Sequence, residues 1–150
     1  MRRAIALSQH GMRTGQGGPF GVVIVKAGQI IAEGHNEVTS SNDPTAHAEV
    51  VVIRRACAHL NSFQLNGCEL YTSCEPCPMC LGAIYWARLD RVFYGNTKED
   101  AAAIAFDDQF IYRELEREKS DRQLPMHPLL RDEANVVFQE WANKGDRTDY

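Results

Sequence analysis

The stretch Cys68-Glu69-Leu70-Tyr71-Thr72-Ser73-Cys74-Glu75-Pro76-Cys77-Pro78-Met79-Cys80 decides how the chain is organised. Cys68 to Ser73 follows an Asn66-Gly67 turn and reads as a strand. Cys74 to Cys80 leads into a helix that runs to about Arg88, and Arg91 to Gly95 reads as the next strand. The same alternation runs upstream. Ala4, Ile5, Leu7 and Met12 recur at roughly helical spacing, and Gly15, Gly17, Gly18 and Pro19 end that helix. Phe20 to Lys26 is rich in β-branched residues, Ala27-Gly28 is a two-residue turn, and Gln29 to His35 completes a hairpin. Asp43-Pro44 offers a helix cap followed by a proline in the first turn, ahead of a helix over Ala46 to Leu60. Downstream, Ala101 to Glu118 reads as a helix, and Ala134 to Asn143 fits either strand or helix. Strands alternating with helices predict an α/β protein with one sheet covered on both faces.

The length of 150 residues suits a single domain, 1–150, with a core large enough to need no disulfide staples. Hydrophobic residues at 44% and charged residues at 24% exclude the disordered and fibrous classes. The net charge is −4, and the basic residues are interleaved with acids, as in Arg113-Glu114-Leu115-Glu116-Arg117-Glu118-Lys119. That run reads as a solvated helix face, and the balance argues against a polynucleotide partner, whose phosphates call for a basic stripe. The longest apolar runs, Val22 to Val25 and Val50 to Ile53, are too short to span a bilayer, and no secretory signal precedes the cysteines. The five cysteines, Cys57, Cys68, Cys74, Cys77 and Cys80, are odd in number, so a reducing, cytoplasmic setting is expected. Clustered there, they point to metal or redox chemistry.

Two short motifs carry the chemistry. Cys77 and Cys80 open a helix, where the helix N-terminus stabilises thiolates; alone they suit a metal site, a redox pair or packing. His47-Ala48-Glu49 alone is weak, since a histidine near a helix start is more often a surface or capping residue. Together they are specific. His47, Cys77 and Cys80 supply three zinc ligands and leave a fourth position for water, the arrangement of a catalytic site, whereas a structural site needs a fourth protein ligand such as Cys74. Glu49 has the chemistry of a general acid/base beside an activated water. One geometric difficulty stands: residues two apart on a regular helix point about 200° from each other, so His47 and Glu49 share a target only in an irregular first turn.

The pattern H-x-E…P-C-x-x-C is the signature of zinc nucleobase deaminases. On it the chain resembles the cytidine deaminase superfamily over nearly its whole length, and within it most resembles the bacterial guanine deaminases. The stretches that carry this are Gly17-Gly18-Pro19-Phe20-Gly21, Asn42-Asp43-Pro44-Thr45-Ala46-His47-Ala48-Glu49, Tyr71 to Cys80, Ala83-Ile84-Tyr85-Trp86-Ala87, Phe106-Asp107-Asp108 and the terminal Tyr150. The resemblance implies a three-layer α/β/α fold with a mixed five-stranded sheet, one zinc ion per subunit, and a homodimer whose C-terminal tail is exchanged between subunits. It implies guanine, a small purine base, as the substrate, deaminated to xanthine and ammonia with Glu49 as proton shuttle and Asp108 relaying a second proton. Phe20 would stack on the base, Asn36 would bond its edge, the backbone N–H groups near Ala48 and Cys77 would favour an anionic oxygen, Trp86 would stand near the pocket across the dimer interface, and Tyr150 would close the neighbouring subunit's pocket. Read without the resemblance, Phe20 is a core residue, Asn36 a turn residue, Trp86 a packing or subunit-contact residue and Tyr150 a chain end, while Asp108 stays open between a helix cap and a substrate contact. Deamination of free cytosine or of adenosine in tRNA, and a catalytically silent zinc-binding module, are the competing readings.

Overall fold

The computed structural model describes residues 1–106 and 108–150, so Asp107 of the Phe106-Asp107-Asp108 segment lies outside the described residues. These residues form two compact units, Met1–Ile111 and Tyr112–Tyr150. The first holds α1 (Arg2–Arg13), β1 (Gly21–Lys26), β2 (Gln29–His35), α2 (Val38–Ser41), α3 (Ala48–Leu60), β3 (Cys68–Cys74), α4 (Pro78–Trp86), β4 (Arg91–Asn96) and α5 (Lys98–Ala103). Helix α6 (Gln109–Glu116) runs into the second unit, which continues with a short 3-10 turn over Lys119–Asp121 and α7 (Arg131–Asn143).

The sheet has the order β2-β1-β3-β4. β1 pairs antiparallel with β2 and β3, and β3 pairs parallel with β4, so the sheet is mixed. The parallel pair needs a crossover, and α4 supplies it. The β1–β2 hairpin turns on Ala27 and Gly28, whose φ values of 49° and 78° are both positive, the requirement of a type I′ turn whose twist matches the strands.

Strand β1 is the centre of the layer arrangement. Val22 and Ile24 are fully buried and join Val52, Ala56, Leu65 and Leu70 in the core cluster, on the side that α3 and α4 cover. Strand alternation sends Gly21 and Val23 to the opposite face. There α1 lies so close that a Cβ on Gly21 would press into the Ala4 carbonyl oxygen and the Ser8 nitrogen. Helices on both faces of one sheet give the three layers that the resemblance implies.

The expectations hold for the hairpin, for β3, α4 and β4, and for α1 and α3 within two residues at their starts or ends. The segment over Ala134 to Asn143, open to either reading, is helical. Three features differ. The sheet has four strands among the described residues, not five. Asp43-Pro44 lies ahead of the helix it was expected to cap, and His47 itself takes the N-cap position. The helix expected over Ala101 to Glu118 is two helices. α5 opens with a Thr97–Asp100 capping box and ends in a Schellman motif: Phe106 N–H bonds the Ala101 carbonyl at 3.0 Å and Ala105 N–H the Ala102 carbonyl at 3.0 Å, with Ala105 at φ 69°. Glycine usually fills that left-handed position, and alanine there hides the break from a sequence reading.

Among the described residues no helix is long and apolar enough to cross a membrane. In the second unit, α7 leaves Val136, Phe138 and Trp141 exposed. The close seat of α1 on the sheet yields a stability prediction. Gly21→Ala will lower unfolding stability by about 2 kcal/mol, because the obstructing atoms are backbone. A denaturant titration checks it; an unchanged midpoint would contradict the described α1–β1 seat.

Candidate metal and deaminase site

The site is built where two helices begin. His47 is the N-cap of α3, with φ −62° and ψ 151°, and Cys77 is the N-cap of α4, with φ −66° and ψ 169°. Both carbonyls already accept the first helical bonds, from Val51 at 3.0 Å and Leu81 at 2.8 Å, while the residues themselves remain extended. This removes the angular difficulty: His47 is not on the regular helix, so His47 and the first-turn Glu49 need not diverge by the helical angle. Pro78 stands at the first position of α4, where its missing N–H costs nothing, and Cys80 follows in the same turn.

His47, Cys77 and Cys80 place their donor atoms within 4.8 Å of one another. His47 Nδ1 lies 3.6 Å from Cys77 Sγ and 3.5 Å from Cys80 Sγ. A tetrahedral zinc with Zn–S near 2.3 Å and Zn–N near 2.0 Å separates nitrogen and sulfur ligands by about 3.5 Å, so the triplet fits zinc in both donor type and spacing. Cys74 is not part of this group. Its Sγ–H points to the Thr97 carbonyl at 3.6 Å, and it lines the adjoining cavity, which leaves three protein donors among the described residues.

Glu49 is buried at 5% exposure. Thr72 Oγ1 donates to its Oε1 at 3.0 Å, and Cys80 Sγ lies 3.4 Å from its Oε2. Burial pushes the Glu49 carboxyl above the usual carboxylate range. Without metal, the Cys80 thiol donating to Cys77, together with His47, holds the Cys77 thiol down to about 4. The same contact and burial push Cys80 well up, and the Cys77 thiolate beside it raises His47. Burial pushes Cys74 up to about 11.

A cavity of about 440 Å³ opens against this group. His47, Ala48, Glu49 and Cys77 form its floor, and Phe20, Asn36 and Asp108 stand in its walls. Phe20 does double duty: it packs against the core and meets Phe106 edge-to-face, with ring centroids 4.9 Å apart. Asn36 is buried, and its Oδ1 accepts the N–H groups of Gly18 and Val38, each at 3.2 Å. That fixes the amide so that its NH₂ is the edge left for a ligand. Ala48 is fully buried and opens α3, where a backbone N–H has no helical acceptor. Asp108 is half-buried just before α6, and its charge reaches His47 and Cys74. Trp86 is 62% exposed at the end of α4 and does not line the cavity; the Arg88 guanidinium sits 5.9 Å over its ring. Tyr150 is exposed at the end of the second unit.

Sequence reasoning missed three residues of this region. Phe106 was legible as part of a shared segment but not as a wall of the cavity. Thr72 sits two residues after the core residue Leu70 on β3, so strand alternation alone could have aimed it at α3. Glu75, left without a role, lines the cavity and accepts the Lys98 N–H at 3.2 Å at the start of α5.

Comparison with known proteins agrees with this arrangement. Residues 1–96 match the family model for the cytidine and deoxycytidylate deaminase zinc-binding region. The chain is 54% identical to the guanine deaminase of Bacillus subtilis (strain 168) over 150 residues, all of this chain and 96% of that one. It superposes on the crystal structure of guanine deaminase from Bacillus subtilis with a TM-score of 0.96, covering 99% of this chain and 95% of that one, at 54% identity. A solved structure in complex with 8-azaguanine aligns with a TM-score of 0.68 at 34% identity, covering 71% of this chain and 62% of that one. The tRNA-specific adenosine deaminase of Aquifex aeolicus is 49% identical over 76 residues, about half of either chain.

The protonation pattern sets an expectation for metal loading. Near neutrality Cys77 has already lost its proton and Cys80 retains its own, while the Cys77 thiolate raises His47 and favours its protonated form. Zinc takes thiolates and neutral imidazole, so loading will release about one to two protons per ion, and affinity will rise with pH. Titration calorimetry in buffers of different ionisation enthalpy measures this; binding without proton release would contradict the described ligand set.

Proposed function

We propose that this chain, which belongs to the cytidine and deoxycytidylate deaminase zinc-binding family, hydrolyses guanine to xanthine and ammonia. The observation that carries the proposal is the reach of the similarity. The likeness to guanine deaminase runs through the whole chain at 54% identity, including Phe106, Asp108, Phe110 and Ile111, which line the cavity, whereas tRNA-specific adenosine deaminases match about half of the chain at 49% identity or 84% of it at only 31%.

His47, Cys77 and Cys80 would hold the zinc. When bound, it supplies Lewis-acid chemistry and lowers the pKa of a water toward neutrality. The remaining work falls to the chain. The cavity holds a flat base with Phe20 against its face. Asn36 donates its amide N–H to an acceptor on the purine edge, and the backbone N–H groups near Ala48 and Cys77 favour the anionic oxygen that develops at C2. Glu49 accepts one proton from the attacking water and passes it to the ring nitrogen; the remaining hydroxyl proton at C2 then passes through Glu49 to the departing amine. Asp108 holds the amino end and helps relay this second proton. Water adds, ammonia leaves, and xanthine remains.

In this reading all 150 residues serve one deaminase domain of a cytoplasmic homodimer. The C-terminal tail crosses to a neighbouring copy, where Tyr150 closes the pocket and Trp86 stands near the shared boundary. The exposed Val136, Phe138 and Trp141 of α7 support that placement, since they are the apolar surface a second copy would cover. A second reading, adenosine deamination in tRNA, draws on the 49% identity across the motif-bearing half. The scattered basic residues and net charge of −4 weigh against it.

Ammonia release from zinc-loaded protein given guanine, adenine, cytosine or an RNA stem-loop distinguishes these. Guanine will be turned over, with little salt dependence, and Glu49→Gln will lower kcat by about 10³-fold or more while retaining zinc. Turnover of cytosine or of the stem-loop in preference to guanine would overturn the substrate, and turnover surviving Glu49→Gln would overturn the role of Glu49.

A further inference from the structure

We infer that Thr72 is a positioning residue for the proton transfers: its hydroxyl fixes one carboxylate oxygen of Glu49 and so dedicates the other to the reaction. The inference rests on the proposed role of Glu49. Thr72 is fully buried in β3, and Glu49 is buried at 5% exposure in the first turn of α3. Thr72 Oγ1 donates to Glu49 Oε1 at 3.0 Å. The carboxylate also takes the Glu49 backbone N–H, and Cys80 Sγ lies 3.4 Å from Oε2.

The Thr72 and Cys80 contacts differ in kind. Cys80 is one of the three residues that would hold the metal, whereas Thr72 belongs to the sheet and not to that group. Thr72 thus tethers Oε1 to β3, and Oε2 is the oxygen on the side of the ligand triplet. A carboxylate shuttling a proton between water, ring nitrogen and amine gains from such a tether, because each transfer requires the same oxygen within hydrogen-bond reach. Valine is nearly the shape of threonine but has no hydroxyl, and would leave Oε1 buried without its donor.

The neighbouring Ser73 supplies an internal control. It is also a buried hydroxyl, at 4% exposure, but alternation turns it to the other face, where its Oγ accepts the Gly21 N–H at 3.0 Å. Its hydroxyl bonds Gly21 rather than Glu49, and it is not among the residues that line the cavity.

The test compares zinc-loaded Thr72→Val, Thr72→Ser, Ser73→Ala and Glu49→Gln, measuring kcat and KM on the base the enzyme turns over, zinc content and melting temperature. Thr72→Val will keep its zinc and lower kcat by about 10–100-fold with KM changed less than about threefold. Thr72→Ser will recover kcat to within about threefold of the parent, and Ser73→Ala will act on melting temperature but not on kcat. Should Thr72→Val fail to fold, Thr72→Ala is read against Thr72→Ser by the same criteria. A valine variant with kcat within about threefold of the parent, or serine and valine variants equally impaired, would overturn the inference while Glu49→Gln stays inactive. An active Glu49→Gln would overturn the role of Glu49 itself, and the inference with it.

Discussion

The site depends on one constraint: two helices must begin side by side, each with a metal-ligating residue in its N-cap. His47 and Cys77 are those residues, and the extended backbone at each turns its side chain away from the helix and toward the other. Both helix starts also present positive dipole ends, which favour the thiolate of Cys77 and offset part of the cost of burying Glu49. The triplet spacing, the thiolate at Cys77 and the proton held on Cys80 all follow from that meeting. A regular helix through His47 would send Glu49 elsewhere.

The sheet holds the two starts in register. β1 lies between β2 and β3, packed by α1 on one face and by α3 and α4 on the other. β3 ends at Cys74, directly before the turn that sets Cys77, and carries Thr72 to Glu49. β2 ends at His35, whose Nδ1 lies 3.0 Å from the Asn36 carbonyl oxygen. The loop at Gly17 and Gly18 closes on Asn36 from the other side, so tightly that a Cβ on Gly17 would meet the Asn36 carbonyl. The purine-edge contact proposed for Asn36 therefore rests on backbone, which makes it rigid.

Much of this was legible in the chain because the signals are local. The Ala27-Gly28 turn, the β-branched strand ahead of it and the helices after both motifs depend on neighbours in sequence, and they stand where the reading put them. The three zinc donors were legible because their chemistry is rare in combination. What escaped depends on contacts across the fold. The break after α5 uses alanine in a left-handed position that glycine usually holds, so no residue type announces it, yet it turns Phe106 against Phe20. The fifth strand was an expectation of resemblance alone, and the segment from Ala134, open to strand or helix by its mixed pattern, is the helix α7. Trp86 is exposed at the end of α4, and a residue's spacing on a helix does not say which neighbour it will meet.

The most direct measurement of the central claim is the zinc-edge X-ray absorption spectrum of the loaded protein. The meeting of the two helix starts calls for a coordination shell of two sulfurs, from Cys77 and Cys80, at about 2.3 Å, with nitrogen and oxygen at about 2.0 Å. A shell with three or more sulfurs would bring Cys74 into the site as a structural fourth ligand. A shell without sulfur would place the metal elsewhere. Either result would contradict the account.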